Sequence, residues 1–165
     1  MKQIYFAGGC FWGVEAYFKL LKGVIDTDSG YIDGNKANPT YEEVVRGVAT
    51  HAEAVKVVYD ENIISLEQLL DHFFRIIDPF ALNRQGHDFG IQYRSGVYYD
   101  DDNERDFIIN FIENKFSYDY NKVKTVVMKN LDFSLAENYH QDYLTKNPGA
   151  YCHVNLNLAK KEEKK

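Results

Sequence analysis

The chain has 165 residues, is 45% hydrophobic and carries a formal net charge of −6 at pH 7. The hydrophobic share excludes an intrinsically disordered chain, and the length suits one domain that can bury a core. The acidic balance argues against nucleic acid as a partner, because phosphate binding requires a surplus of Lys and Arg. The chain has no apolar stretch of about 18 residues, the length of a membrane span, and no apolar core of a secretory signal at its N-terminus. We therefore expect a cytoplasmic protein that binds neither membranes nor nucleic acid.

The first predicted elements surround Cys10. A strand over residues 2–7 breaks at two glycines, and Cys10 then opens a helical pattern that ends at Gly23. Residues 26–38 are polar and rich in glycine, which predicts an extended loop. The β-branched run from residue 52 to residue 60 predicts a buried strand.

The second half of the chain continues to alternate helices and strands. The predicted elements are a helix capped by Ser65 and Gln68 that stops before Pro79, a loop over 80–90, a strand over 91–99, a helix over 103–116 with Phe107, Ile108, Phe111 and Ile112 on its core face, a strand over 123–128 and a short helix near 136–145. The connections are not all long enough for a purely parallel sheet. We therefore predict an α+β fold with a mixed β-sheet and packed helices. Residues 160–165 are all charged and are expected to form a disordered tail.

Cys10 and Cys152 are the only two cysteines, too few for a disulfide scaffold. In a reducing compartment such a pair is more often catalytic than structural. Cys10 would lie at the first turn of a helix, where free N–H groups and the helix dipole favour the thiolate. The alternative for Cys10 is a small buried apolar residue, but the glycine pair before it and the aromatic pair after it favour a reactive thiol.

Five histidines raise the possibility of a metal site. They are His51, His72, His87, His140 and His153. None belongs to a Cys-x-x-Cys or His-x-x-x-His group, so we expect no metal.

Several motifs in order along the chain resemble one family. They are Gly8-Gly9-Cys10-Phe11-Trp12-Gly13-Val14-Glu15, Gly30-Tyr31, Pro39-Thr40-Tyr41, His51-Ala52-Glu53, Asn83-Arg84-Gln85-Gly86, Gln92-Tyr93-Arg94-Ser95 and Tyr139-His140-Gln141. The set resembles the peptide methionine sulfoxide reductase A family, the peptide-methionine (S)-S-oxide reductases, over nearly the whole chain. The resemblance implies a ferredoxin-like α/β sandwich, a single catalytic domain over residues 1–159 with a mobile C-terminal arm from about residue 145, and repair of oxidised methionine that is free or protein-bound.

The resemblance also implies roles for individual residues. Cys10 would attack the sulfoxide sulfur and become a sulfenic acid, while Glu53 protonates the sulfoxide oxygen. A carboxyl group among valines would be desolvated, which independently favours a raised pKa for Glu53. Tyr41 and Tyr93 would donate hydrogen bonds to the sulfoxide oxygen.

The remaining implied roles concern substrate binding and the second thiol. Phe11 and Trp12 would hold the terminal methyl group, although both also suit plain core packing, and Asp88 would help to position the substrate. Cys152 would attack the Cys10 sulfenic acid to form a disulfide. The resemblance implies no bound cofactor and an external thiol reductant, thioredoxin, with glutaredoxin as the alternative.

Two other functions remain open from the residues alone. One is a thiol peroxidase, in which Cys10 would attack peroxide and the aromatic pair would only pack. The other is an inactive module that binds methionine-rich segments and would tolerate Cys10→Ser. The combination of Cys10, Glu53, Tyr41 and Tyr93 argues against both.

Overall fold

The computed structural model describes all 165 residues. Its strands are β1 (Lys2–Ala7), β2 (Val24–Ile32), β3 (Ala52–Tyr59), β4 (Arg84–Gln85), β5 (Asp88–Phe89), β6 (Gly96–Tyr99), β7 (Val126–Lys129) and β8 (Ser134–Leu135). Its helices are α1 (Phe11–Lys19), α2 (Tyr41–Val45), α3 (Leu66–Ile76), α4 (Glu104–Phe116) and α5 (Tyr143–Lys146). None of these helices is long and apolar enough to cross a membrane.

Six strands form one mixed sheet in the order β7-β6-β1-β3-β2-β8. All neighbours are antiparallel except β6 and β7, which are parallel and joined through α4. The central order β6-β1-β3-β2, with α1 after β1 and α3 after β3, is the split β-α-β arrangement of ferredoxin-like folds. The predicted α+β class, with a mixed sheet and packed helices, is confirmed.

The main core lies between the sheet and the helices. Val14 and Phe18 on α1, and Leu21 just beyond its end, are buried, as their helical spacing predicts. Helix α3 has the expected capping box, in which Ser65 and Gln68 each satisfy the other's backbone N–H. On α4 the predicted core face is partly wrong, because Phe107 is 45% exposed while Ile108 and Ile112 are buried. The helix buries a narrower stripe than its four apolar residues suggested.

The predicted loop over residues 26–38 is wrong, because most of this segment belongs to β2. Because many of its side chains are polar, the sequence did not indicate a strand here. The hydroxyls of Thr27 and Ser29 point inward and donate to Glu15 on α1, at 2.9 and 3.1 Å. A buried carboxyl group therefore takes the place of an apolar partner for this strand.

Two further predicted strands are shorter or displaced. Of the strand predicted over 91–99, only Gly96–Tyr99 joins the sheet, while Ile91–Tyr93 form a 3₁₀ turn. The strand predicted over 123–128 begins three residues later, at Val126. The 3₁₀ turn carries Tyr93, one of the predicted site residues.

The charged tail is ordered, so the prediction of disorder over 160–165 is wrong. Lys161–Glu163 form a 3₁₀ turn, and the backbone N–H of Lys22 donates to the carbonyl of Glu163 at 2.9 Å. The guanidinium of Arg75 on α3 donates to both carboxylate oxygens of Glu163, at 2.8 and 2.9 Å. A bidentate pair of this kind gives a charged segment a defined position that its composition does not reveal.

Candidate active site

Cys10 lies at the turn between β1 and α1. It is the N-cap residue of α1 and is half-buried, with its thiol free. Gly9 before it has φ +86°, and a Cβ atom there would lie 2.7 Å from the Cβ of Gln85. Only glycine suits both the backbone conformation and the space at this turn.

The carboxyl group of Glu53 lies at the same helix terminus. Glu53 belongs to β3, is 1% exposed, and accepts a hydrogen bond of 3.1 Å from the backbone N–H of Phe11. Burial raises the pKa of Glu53 to about 8, an effect that the Phe11 hydrogen bond opposes and the charge of Asp88 increases. The side chain is therefore mostly protonated at neutral pH and can give up a proton.

The thiol of Cys10 does not have the lowered pKa that its helix position predicts. Burial raises the pKa of Cys10 well above its usual range, and the negative charge of Glu53 raises it further, whereas the N–H of Trp12 opposes both. The prediction failed because one free N–H of the helix terminus is occupied by Glu53 and the thiol is largely desolvated. At rest, Cys10 is a thiol beside a carboxylic acid.

Two phenols lie in the electrostatic field of this pair. Tyr41 begins α2 and Tyr93 ends the 3₁₀ turn before β6. Burial raises the pKa of Tyr41 to about 12 and also raises that of Tyr93, and the charges of Glu53 and Cys10 act in the same direction on both. Both side chains are therefore kept protonated and able to donate.

An aromatic cluster adjoins Cys10 on the α1 side. Phe11 is 1% exposed and contacts His140, with ring centroids 5.0 Å apart. Trp12 is half-buried, stacks on Tyr143 at 3.7 Å, and donates from its indole N–H to His140 at 3.0 Å. Phe11 thus packs in the core, while Trp12 keeps part of its ring accessible beside Cys10.

Asp88 approaches the site from the short hairpin of β4 and β5. Its charge raises the pKa of both Cys10 and Glu53. One of its oxygens is buried and accepts no hydrogen bond from the protein. This oxygen lies 4.0 Å from Nδ1 of His153, and the Asp88 side chain as a whole is 21% exposed.

Cys152 lies on the C-terminal arm, against the first turn of α1. A Cβ atom on Gly13 would lie 2.7 Å from the Cys152 sulfur, and Gly13 is one helical turn beyond Cys10. The thiol donates to the carbonyl of Val154 at 3.2 Å. The fold therefore brings together two cysteines that are far apart in the sequence.

Sequence reasoning assigned no role to several buried or half-buried polar residues around the site. Glu137 accepts from the Tyr31 hydroxyl at 2.7 Å and from the backbone N–H of Tyr41 at 2.8 Å, which fixes the start of α2. His140 fixes the Trp12 ring, and Glu15 joins α1 to β2. The only signal in the sequence was that Glu15 and His140 fall inside two of the resembling motifs.

The structure brings no group of three or more His, Cys, Asp or Glu side chains together as a metal site.

The peptide methionine sulfoxide reductase family model matches residues 2–165. The chain belongs to this family. It is 50% identical over 161 residues to the peptide methionine sulfoxide reductase MsrA of Ureaplasma urealyticum, with 98% of each chain covered. This peptide methionine sulfoxide reductase therefore reduces methionine sulfoxide, and the peroxidase and binding-module alternatives are set aside.

Solved structures agree with the family assignment. The reduced form of Mxr1 from Saccharomyces cerevisiae superposes with a TM-score of 0.87 at 36% identity, covering 93% of this chain and 91% of the yeast chain. The same yeast protein in complex with Trx2 gives a TM-score of 0.60 at 27% identity, covering 86% and 84% of the two chains. The methionine sulfoxide reductase A of Corynebacterium diphtheriae superposes with a TM-score of 0.84 at 32% identity, covering 92% of this chain and 77% of that chain, so the site lies on the fold of a solved methionine sulfoxide reductase.

Proposed function

We propose that this reductase acts on the S epimer of methionine sulfoxide, free or in proteins, with Cys10 as the attacking thiol. The observation that carries the proposal is the shared position of Cys10 and the buried Glu53 at the start of α1. In the first step the Cys10 thiol and the sulfoxide give a Cys10 sulfenic acid and the thioether of methionine. Oxygen moves from the substrate sulfur to Cys10, which is oxidised by two electrons as the substrate is reduced.

Glu53 supplies the proton that makes the sulfoxide oxygen a better leaving group. Its pKa of about 8 means that the acid form is present at neutral pH before the substrate binds. Once Glu53 has donated its proton, its carboxylate can accept the proton of the attacking Cys10 thiol. The raised pKa of Cys10 is then compatible with attack, because the thiol loses its proton only as the sulfoxide oxygen gains one.

The other site residues hold the sulfoxide group in place. Tyr41 and Tyr93 donate to the oxygen as negative charge develops on it. Trp12, with the buried Phe11 behind it, receives the terminal methyl group, for which flat apolar faces are suited. Asp88, whose side chain is 21% exposed, helps to position the rest of the substrate.

Cys152 completes the cycle. Its thiol attacks the sulfenic acid, so that a disulfide forms and water leaves. A dithiol such as thioredoxin then reduces the disulfide by thiol exchange and is itself oxidised. The position of Cys152 against Gly13 supports this role, and the yeast relative that forms a complex with Trx2 supports thioredoxin as the reductant. We propose a cytoplasmic location, where both cysteines are kept reduced, and no bound cofactor.

A single turnover without external reductant tests the proposal. The reduced protein is mixed with each epimer of a methionine sulfoxide derivative, and the methionine formed, the free thiols and the mass of the Cys10 peptide are measured. We expect methionine from the S epimer only, with loss of both thiols as a Cys10–Cys152 disulfide. The Cys152→Ser variant should form the same amount of methionine and retain a Cys10 sulfenic acid. Methionine formation by Cys10→Ser would contradict the proposed attack.

A further inference from the structure

The residue after Cys152 anchors the C-terminal arm to the turn that carries Cys10. The His153 side chain is 2% exposed, and its Nε2 lies 2.8 Å from the carbonyl oxygen of Gly8. A carbonyl can only accept, so Nε2 carries the proton and donates. This bond joins the residue next to Cys152 to a residue two positions before Cys10.

The space for this contact is created by the glycine turn. A Cβ atom on Gly9 would lie 2.8 Å from His153 Nε2, a separation that would push the imidazole away. On its other side, Nδ1 of His153 faces Asp88 at 4.0 Å, and neither atom has another partner in the protein. The ring is therefore enclosed between the Cys10 turn and the hairpin that carries Asp88.

The same contact sets the position of Cys152. Its sulfur fits against Gly13, and Val154 beyond His153 is buried against the same glycine. The outer part of the arm has few comparable contacts, since Tyr151 is 54% exposed and Gly149 has open space around it. His153 is thus the polar contact that holds Cys152 beside the start of α1.

We propose that His153 is a positioning residue for the second half of the reaction, in which Cys152 attacks the Cys10 sulfenic acid. The proposal rests on the proposed function. The Nε2–H bond to Gly8 holds the Cys152 sulfur against Gly13 at the first turn of α1, and the first half of the reaction does not need this bond. His153 itself exchanges no proton with the reacting sulfur atoms.

The experiment separates the two half-reactions in His153→Asn and His153→Gln. The amide nitrogen of Gln extends about as far as Nε2 and can still donate to Gly8, whereas that of Asn is too short. Methionine and the Cys10–Cys152 disulfide are followed in time after the reduced protein is mixed with the S epimer. His87→Asn is the matched control, because His87 lies in the same hairpin as Asp88 but is exposed.

We expect His153→Asn to form methionine within about twofold of the unmodified enzyme and to form the disulfide at least about tenfold more slowly, since a displacement of about 1 Å can cost on the order of 10²-fold in rate. The sulfenic acid should accumulate in this variant, and His153→Gln should recover most of the disulfide rate. An unchanged disulfide rate in His153→Asn would overturn the proposal. So would equal losses in both half-reactions with no recovery by Gln, which would indicate a purely structural role.

Failure of the proposed function would look different. The unmodified enzyme would then form no methionine from the S epimer, or would form methionine without any Cys10–Cys152 disulfide. Absence of methionine would contradict the attack by Cys10. Methionine without a disulfide would contradict the resolving role of Cys152 and, with it, the role proposed for His153. If only the His153 proposal fails, the unmodified enzyme still forms both methionine and the Cys10–Cys152 disulfide.

Discussion

At the scale of single residues, the site depends on which group accepts a hydrogen bond from the first backbone N–H of α1. The N–H of Phe11, which could have stabilised a Cys10 thiolate, instead binds Glu53. Burial then keeps the acid protonated at neutral pH and the thiol protonated as well. Glu53 and Cys10 therefore both carry, before the reaction, the protons that they transfer during it.

The identities of these residues could be predicted from the motifs, but their ionisation could not be fully predicted. The valines around Glu53 correctly suggested a raised pKa, because they are neighbours in the sequence. The pKa of Cys10 depends on Glu53, which comes from a different strand, and on burial by distant segments. The position of Cys10 at the start of a helix therefore predicted a lowered pKa, which is the wrong direction.

The two phenols should each contribute to the first half-reaction. We expect Tyr41→Phe or Tyr93→Phe to lower the single-turnover rate of methionine formation by about 10- to 10³-fold, because one donor to a developing oxyanion is lost. The measurement is a rapid-quench assay with the S epimer. Tyr118→Phe is the control, since Tyr118 is fully exposed. A wild-type rate in the double Phe variant would remove the phenols from the mechanism.

At the scale of elements, the polar pattern of β2 and the charge of the tail were the two misleading features. Both segments bind buried or half-buried ionisable partners on other elements, among them Glu15 for β2 and Arg75 for the tail. Composition describes what a segment would do alone in water. It does not indicate a charged partner that lies on another element.

The tail contact should stabilise the fold measurably. We expect Arg75→Gln to lower the free energy of unfolding by about 1–2 kcal/mol, as for a bidentate and partly buried ion pair. The matched control is Arg46→Gln, whose partner Glu42 is highly exposed, with an expected loss of at most about 0.5 kcal/mol. Denaturant unfolding at neutral pH measures both.

The pH dependence of this contact has a definite sign. Arg75 lowers the pKa of Glu163 from 4.5 to about 2. The contribution is therefore complete above the unfolded value of 4.5 and is lost as the pH falls through about 2. The difference in stability between Arg75→Gln and the unmodified protein should shrink on acidification, and a constant difference down to pH 2 would contradict the ion-pair account.

At the scale of the whole molecule, the fold class could be predicted but the strand order could not. Alternating elements with short connections indicated a mixed sheet, and the family resemblance indicated a ferredoxin-like arrangement. The edge strands β7 and β8 have only four and two residues, too few to show a clear pattern. Their pairing follows from packing with the rest of the sheet. The extent of the domain and the mobility of the arm stay predictions, since the arm lies docked in this structure through His153.

The buried carboxyl group of Glu53 should make global stability depend on pH. Its pKa is raised from 4.5 to about 8 in the folded protein, so the folded state retains a proton that the unfolded state has lost. Stability should therefore fall between these pH values, by at most about 1.4 kcal/mol per pH unit. We expect Glu53→Gln to lack this component and to gain stability relative to the unmodified protein from pH 5 to pH 8. Parallel stability curves would show that Glu53 titrates normally.

The measurement that most directly tests the central claim, proton donation by Glu53 to a substrate attacked by Cys10, is the pH profile of single-turnover methionine formation. For the unmodified enzyme we expect the rate to fall as the pH rises above about 8, where Glu53 loses its proton. Glu53→Gln should be slower by about 10²- to 10⁴-fold, the usual contribution of a general acid, and should lack this fall. A Glu53→Gln variant that keeps both the rate and the pH profile of the unmodified enzyme would contradict the account.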